Sequence, residues 1–159
     1  MPAPETLLLQ VLDRVLPRVA RLPRPLQAVV LQPLLQAALA APIRAGRFDF
    51  LGGRWVRIEI VDLDIGWSLR VAGKRLVLEA QAPADVRVAA AWRDLLMLAS
   101  RHEDPDALFF RRRLAIDGDT ELGLEVKNLI DGLDAQELPA PLWSALRPLG
   151  AEAARQGTP

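Results

Sequence analysis

Paired carboxylates are the residues of this sequence most able to do acid–base chemistry. Asp62 and Asp64 form one close pair, and Asp117 and Asp119 form another. Two carboxyl groups that face each other across a cleft can serve as general acid and general base. Each of these pairs, however, falls at a predicted turn or helix start, where aspartate is favoured because its side chain accepts bonds from backbone N–H groups. We therefore interpret both pairs as turn and capping residues.

Other groups that carry chemistry are scarce. The chain has no cysteine, which excludes disulfides, thiolate zinc sites and a cysteine nucleophile. The single histidine, His102, follows a predicted helix whose C-terminus a cation would stabilise. None of the three serines lies in a glycine-rich nucleophile elbow. The sequence thus predicts a protein that is not an enzyme and that needs no cofactor or metal.

The stretch from Phe109 to Ile130 is the densest in specific features. Its arginine triplet, residues 111–113, could grip a phosphate or could form a solvated strand edge, and the sequence leaves both open. Gly123 falls inside a predicted helix, where glycine costs roughly 1 kcal/mol relative to alanine, so we expect a close approach by backbone or ligand there. Phe109 and Phe110 suit either the core or the mouth of an apolar cavity.

The elements that must position these residues follow from hydrophobic periodicity. Apolar residues recur at helical spacing in residues 7–16, 26–41, 92–99 and 122–133, and again after Pro141. From Arg54 the period changes to two, which predicts four short strands joined as an antiparallel meander, and Leu114 and Ile116 predict a fifth. Together these elements predict an α+β domain whose sheet has one face covered by helices.

Charge is distributed unevenly along a chain of zero net charge. Up to Arg57 there are eight arginines and three acids, a net of +5, and the remainder is net −5. A basic first third suits an anionic surface, but the acidic remainder does not extend that footprint, so we expect no nucleic-acid partner. The first helix could pack on the core or rest in a membrane interface. The opening lacks the order of a signal peptide, so we expect a cytoplasmic protein, peripheral at most at the inner face of the membrane.

The order of elements and one segment resemble the sterol carrier protein type 2 (SCP2) family. The resemblance is carried by residues 108–114 (Leu-Phe-Phe-Arg-Arg-Arg-Leu), by residues 118–124 (Gly-Asp-Thr-Glu-Leu-Gly-Leu) and by residues 126–129 (Val-Lys-Asn-Leu). It is strongest to the bacterial accessory factors of ubiquinone biosynthesis within that family. It implies a five-stranded sheet covered by helices around a hydrophobic tunnel.

The resemblance also implies a function. It implies a noncatalytic accessory protein of the oxygen-independent route to ubiquinone, which binds or presents a polyprenylated quinone precursor or a phospholipid beside peptidase-like iron–sulfur partner proteins. An isoprenoid tail would gain roughly 0.8 kcal/mol per buried methylene-sized unit, so an apolar tunnel suffices for affinity. Two alternatives remain: a structural or interaction subunit that buries the same apolar faces against partners, and an enzyme that acts on a lipid headgroup through Asp117 and Asp119.

We expect three segments: N-terminal amphipathic helices in residues 1–43, available for membrane or homodimer contact, an SCP2-like domain in residues 44–150, and a tail in residues 151–159 with little to bury. The apolar faces predict these lipid-binding residues: Trp67, Leu69, Phe109, Phe110, Leu122, Val126, Leu129 and Ile130. The basic residues predicted to contact a membrane or headgroup are Arg14, Arg18, Arg21, Arg24 and Arg111.

Overall fold

Seven helices and five strands make up the fold of the computed structural model, which describes residues 1–157. The helices are α1 (Pro4–Val19), α2 (Arg24–Ala38), α3 (Ala40–Arg44), α4 (Trp92–Ala99), α5 (Pro105–Phe110), α6 (Thr120–Gly132) and α7 (Ala140–Gln156). The strands are β1 (Val56–Ile60), β2 (Ile65–Ala72), β3 (Arg75–Glu79), β4 (Val86–Ala90) and β5 (Leu114–Gly118). The predicted α+β class, including the fifth strand, is confirmed.

The strands form one mixed sheet in the order β3-β2-β1-β4-β5. The hairpins β1–β2 and β2–β3 are antiparallel, as is β4–β5, but β4 lies beside β1 and runs parallel to it. The predicted four-strand antiparallel meander is therefore wrong at its last step. Alternation assigns side chains to faces of a sheet but does not say which strand lies next to which.

Asp85 holds β4 in its unexpected position beside β1. Its carboxylate accepts a bond from the backbone N–H of Trp55 at 2.7 Å, and its own N–H donates to the carbonyl of Trp55 at 3.0 Å. These two contacts hold the start of β4 against the start of β1. The connection that leads there from β3 is tied down by Arg57, whose guanidinium donates to the carbonyl of Ala80 at 3.0 Å.

The other place where β4 could have paired, the outer edge of β3, is occupied by side chains of α2. The Gln36 amide oxygen accepts from the N–H of Leu76 at 2.7 Å, and the Gln32 amide oxygen accepts from the N–H of Leu78 at 3.1 Å. The Gln32 amide nitrogen also donates to the carbonyl of Leu76. Two glutamines one helical turn apart thus take the place of a neighbouring strand.

The apolar face of the sheet carries the core. Register places Val56, Val86 and Val88 on this face, and each of them is buried. The helices that cover it contribute residues from α3 through α6 and from the connection between α3 and β1; the buried ones are Ile43, Phe48, Leu51, Leu98, Leu108, Leu122 and Val126. The predicted single covered face is therefore present.

The C-terminal segment is a second place where the sequence prediction fails. The predicted tail with little to bury begins at Ala151, yet α7 continues to Gln156 and buries Ala153 completely against Leu9 and Met97. The physical reason is that α1 lies alongside α7 and gives it a partner. The last two residues of the predicted tail, Thr158 and Pro159, lie outside the described residues.

Candidate functional site: an apolar cavity and its surroundings

An apolar cavity of about 270 Å³ lies over the centre of the sheet's covered face. Its floor is formed by Ile58 of β1 and Val88 of β4, which are direct partners in the parallel register. Its walls come from the end of α2, from α4, from the end of α6 and from the start of α7: Leu39, Leu95, Leu98, Ala99, Ile130, Leu133, Leu138 and Trp143. Such an apolar lining suits a hydrocarbon chain or ring.

Local sequence explains why these walls stand where they do. Leu95 and Leu98 are three residues apart, so they share one face of α4 and point together onto the sheet. The adjoining Arg101 has a positive φ of 63°, which turns the chain at the end of α4. Its guanidinium donates to the carbonyls of Ile130 at 2.9 Å and Asp131 at 2.6 Å. Arg101 thus caps α6 and ties the two helical walls together.

Charged groups are confined to the rim of the cavity, where Arg101 and Asp134 lie beside Trp143. Asp134 begins a short 3-10 turn, Ala135–Glu137, and the two ends of this turn are closed by a capping box between Asp134 and Glu137. Arg47 donates to the Glu137 carboxylate at 3.1 Å, which ties this turn to the chain before β1. The rim is therefore ordered by polar contacts, while the interior is apolar.

The eight predicted lipid-binding residues fall in four different places. Only Ile130 lines the cavity. Leu122 and Val126 are buried in the core, with Leu129 and Leu69 packed partly buried against it, and Trp67 is buried beside α2. Phe109 and Phe110 lie outside, with 45% and 81% of their surfaces exposed. Their contact with a lipid stays a prediction, and the structure adds wall residues, such as Leu95 and Trp143, that the sequence analysis did not assign to the site.

A second depression of about 460 Å³ lies along the outside of β5, between α5 and α6, and we call it the outer groove. Phe109 and Phe110 form one wall with their rings edge to face, 5.9 Å apart. Gly123 lies opposite, where an added Cβ would meet Ile116 at 3.2 Å. A close approach at Gly123 is present, but a strand side chain makes it, so the predicted approach by backbone or ligand is wrong.

Three of the four carboxylates considered for acid–base chemistry have structural partners, and the fourth, Asp64, lies in the turn between β1 and β2 with a positive φ of 51°. Asp119 accepts from the N–H of Leu122 at 2.9 Å and caps α6, as predicted. Asp62 accepts from the N–H of Trp92 at 3.0 Å at the start of α4. Asp117 pairs with Arg87 at 3.0 Å, and Arg87 also pairs with Glu59 at 2.6 Å, which lowers the pKa of Glu59. These contacts give Asp62, Asp117 and Asp119 structural roles.

The arginine triplet divides into three roles. Arg113 pairs through two nitrogens with the buried Asp94, at 2.7 and 3.2 Å. Burial raises the pKa of Asp94, and the neighbouring guanidinium of Arg113 opposes that rise. Arg111 pairs with Glu103 at 2.8 Å, while Arg112 adopts a positive φ of 59° and is exposed. The question left open by the sequence is thus answered for Arg113, whose charge holds α4 to the chain before β5.

The N-terminal helices expose a broad apolar face. On α1 it includes Leu8, Val11 and Val15, and on α2 it includes Leu26, Val29, Val30 and Leu34, each at least 41% exposed. Arg14, Arg18 and Arg21 lie on or just after α1 and are exposed, and none has an ion-pair partner within residues 1–157. Arg24 differs: it donates to the carbonyl of Gly66 at 3.3 Å and lies 5.7 Å from the centre of the Trp67 ring.

Within residues 1–157 no helix combines the length and apolarity needed to cross a bilayer. The same part of the chain contains no group of three or more histidine, aspartate or glutamate side chains placed to hold a metal ion.

A layered sheet with helices over one face and an apolar cavity between them is the architecture that the sequence resemblance predicted. In agreement, the family model described as the SCP-2 sterol transfer family matches residues 32–131. A solved structure described as "UbiJ-SCP2 Ubiquinone synthesis protein" shares the fold, with a TM-score of 0.51 and 21% identity, over 68% of this chain and 96% of that one. The chain belongs to the SCP-2 sterol transfer family.

Within that family its sequence is similar to one group of curated proteins. It is 44% identical over 120 residues to the ubiquinone biosynthesis accessory factor UbiT of Escherichia coli strain K12, which covers 76% of this chain and 69% of the relative. The UbiT proteins of two other Escherichia coli strains match equally. The resemblance seen in the sequence is therefore confirmed.

Proposed function

We propose that this protein is a noncatalytic lipid-binding accessory factor of ubiquinone biosynthesis, in which the apolar cavity receives the prenyl tail of a quinone precursor. The cavity carries the proposal: its floor and walls are hydrocarbon, and its charged groups lie at the rim. Sequence similarity to UbiT supports a role in ubiquinone biosynthesis. The resemblance noted in the sequence suggests the oxygen-independent route and the peptidase-like iron–sulfur proteins as partners.

The size of the cavity shapes this proposal. At about 270 Å³ it lies just below the roughly 300–1,000 Å³ typical of ligand pockets. A long polyprenyl chain exceeds this volume, so we propose that the cavity holds only part of the tail. The aromatic head would then lie at the rim, where Arg101 and Asp134 offer charged groups and Trp143 offers an aromatic surface.

Docking on a membrane would bring the protein to its ligand. The exposed apolar face of α1 and α2 would enter the interface, and Arg14, Arg18 and Arg21 would meet anionic headgroups. Arg24 and Arg111 are already held by Gly66 and Glu103, so we assign them a smaller share of this contact. The protein would then be cytoplasmic and peripheral at the inner face of the membrane. A homodimer through the same face is the competing use of this surface.

Lipid extraction tests the proposal. The full chain, purified without detergent, should release a prenylquinone, a prenylphenol or a phospholipid that mass spectrometry identifies. If excess prenylphenol is added and the unbound excess is removed before extraction, the amount of prenylphenol recovered should rise in proportion to the amount of protein. A protein that carries no lipid, and takes up none when prenylphenol is supplied, would refute the carrier function.

A further inference from the structure

The two edges of the sheet are treated differently. At the β3 edge, Gln32 and Gln36 satisfy the backbone groups that point away from the sheet. At the β5 edge, no backbone hydrogen bond outside the β4 ladder involves Leu114, Ile116 or Gly118, so far as residues 1–157 are concerned. An open edge is a template for pairing with another strand, and proteins commonly block it. Here one edge is blocked and the other is left free.

Register identifies the free groups on β5. The N–H of Asp119 donates to the carbonyl of Asp85, so the odd-numbered residues of β5 bond to β4 and the even-numbered ones point outward. Ile116 is the central outward residue. Its N–H and carbonyl lie along the outer groove, to which Ile116 and Gly118 both contribute.

The walls of the outer groove are apolar and exposed. Phe110 on α5 is 81% exposed, Leu124 on α6 is 55% exposed, and Phe109 is 45% exposed. A strand added to β5 would direct alternate side chains toward this apolar pair of walls. The groove therefore offers both backbone bonds and a place for an apolar side chain.

The charges at the outer groove indicate what kind of strand it accepts. Its lining holds three carboxylates, Asp106, Asp117 and Asp119, and a single ammonium group, that of Lys127, which pairs with Asp106. Asp117 keeps 65% of its side chain exposed although it pairs with Arg87. We propose that the outer groove docks an extended segment of a partner protein, with an apolar side chain flanked by lysine or arginine, which adds to the sheet beside β5.

This surface is independent of the proposed lipid function. The outer groove is built from α5, β5 and the first half of α6, whereas the cavity uses α4, the end of α6 and the start of α7. The two sites share no lining residue. Failure of one proposal would leave the other standing.

A random nonapeptide display library is the probe we would use, selected on the full-length chain. The selected peptides should show alternating apolar and polar residues, with a central apolar residue and more basic than acidic residues. Binding of a selected peptide should weaken at least about tenfold in the double variant Phe110→Ala, Leu124→Ala, and should not change in the matched control Val29→Ala, Val61→Ala, whose residues are exposed elsewhere. Both pairs are solvent-exposed, so both variants should fold.

Backbone pairing is then tested on the same peptide. Methylation of the peptide nitrogens that face β5 should abolish binding, and methylation of the intervening nitrogens should not. Bound peptide should slow hydrogen exchange at the Ile116 amide about tenfold. The proposal is overturned if no peptide depends on the groove, if the selected peptides are acidic or helical, or if methylation has no effect. The proposal would also be overturned if light scattering showed a dimer of the chain and hydrogen exchange at the Ile116 amide were slowed in that dimer.

Discussion

The amide of Gln27 joins the end of α1 to Trp67 in the sheet. Its oxygen accepts from the Trp67 indole nitrogen at 3.2 Å, and its nitrogen donates to the carbonyls of Leu22 at 2.9 Å and Ala20 at 3.2 Å. Gln27 is only 5% exposed. One buried amide therefore satisfies carbonyls that the end of a helix leaves without partners and fixes the α1–α2 corner on the sheet.

Replacement of Gln27 by alanine should lower the free energy of unfolding by about 1–3 kcal/mol, because the carbonyls of Ala20 and Leu22 and the buried Trp67 N–H lose their partner. Urea denaturation followed by tryptophan fluorescence measures this loss. The matched control is Gln10→Ala on the exposed side of α1, which should change stability by no more than about 0.5 kcal/mol. Equal effects of the two variants would show that the Gln27 contacts contribute nothing.

Filling the cavity should weaken the binding of an apolar probe. Ala99 lies on the cavity wall and is exposed, so Ala99→Phe can occupy the space of two or more methylenes without disturbing packed residues. At about 0.8 kcal/mol per methylene, the affinity for a dansyl-labelled fatty acid should fall at least about tenfold. Ala154→Phe, on the exposed surface of α7, is the control. Unchanged affinity in Ala99→Phe would exclude the cavity as the binding site.

Neutralising the free arginines of the N-terminus should release the protein from anionic vesicles. Each arginine near such a surface contributes about 1 kcal/mol, so Arg14→Gln, Arg18→Gln, Arg21→Gln should reduce partitioning on the order of 100-fold. Vesicle flotation with phosphatidylglycerol measures it, and raised salt should have a similar effect on the unmodified chain. Exposed arginines elsewhere, Arg75, Arg112 and Arg147, provide a triple control of equal charge. A control that loses as much binding would indicate nonspecific attraction.

Acid should loosen the contact between α1 and α7 through Glu152. Thr6 donates its hydroxyl to Glu152 at 2.7 Å, and together with bonds from Gln156 and Arg155 this lowers the pKa of Glu152 from 4.5 to about 2. Because the folded pKa is the lower one, the stabilisation is complete above about pH 4.5 and is lost as the pH falls toward 2.

Unfolding measured by urea between pH 7 and pH 2 tests this dependence. Glu152→Gln should be less stable than the unmodified chain at pH 7, and the difference should narrow below pH 4.5. Asp94→Asn serves as a comparison, because burial raises the pKa of Asp94 whereas hydrogen bonds lower that of Glu152. The stability difference between Asp94→Asn and the unmodified chain should therefore change with pH in the opposite direction. A difference between Glu152→Gln and the unmodified chain that stays constant over the whole range would contradict the assignment.

Gly118 should tolerate no side chain. Its φ is +109°, and a Cβ there would lie 2.4 Å from the carbonyl oxygen of Asp85, which belongs to the backbone and cannot move aside cheaply. Gly118→Ala should therefore cost about 2 kcal/mol or more, the sum of strain and collision. The control, Gly73→Ala, has a φ of +63° with open space around it and should cost about 1 kcal/mol. Thermal unfolding of both variants would compare them, and equal losses would show that the Asp85 contact is unimportant.

The sequence by itself determined the elements and the faces. Alternation placed Val56 and Ile58 on one side of β1 and Arg57 and Glu59 on the other, because the side-chain period of a strand is two. Helical spacing predicted α4 and α6. The sequence offered Asp119 or Thr120 as the cap of α6, and the structure shows that Asp119 is the cap, because its short side chain reaches the helix N-terminus. The segment from Phe109 to Ile130 also carried the family resemblance.

Only the tertiary structure decided which strands are neighbours, which apolar residues line a cavity, and where the charges pair. Ile58 and Leu122 are alike in sequence terms, yet one lies on the cavity floor and the other in the packed core, because a cavity is defined by what several distant elements fail to fill. Gln32 and Gln36 interrupted an apolar run for no local reason. Their purpose is set by the β3 edge, about 40 residues away in sequence, which no local pattern records.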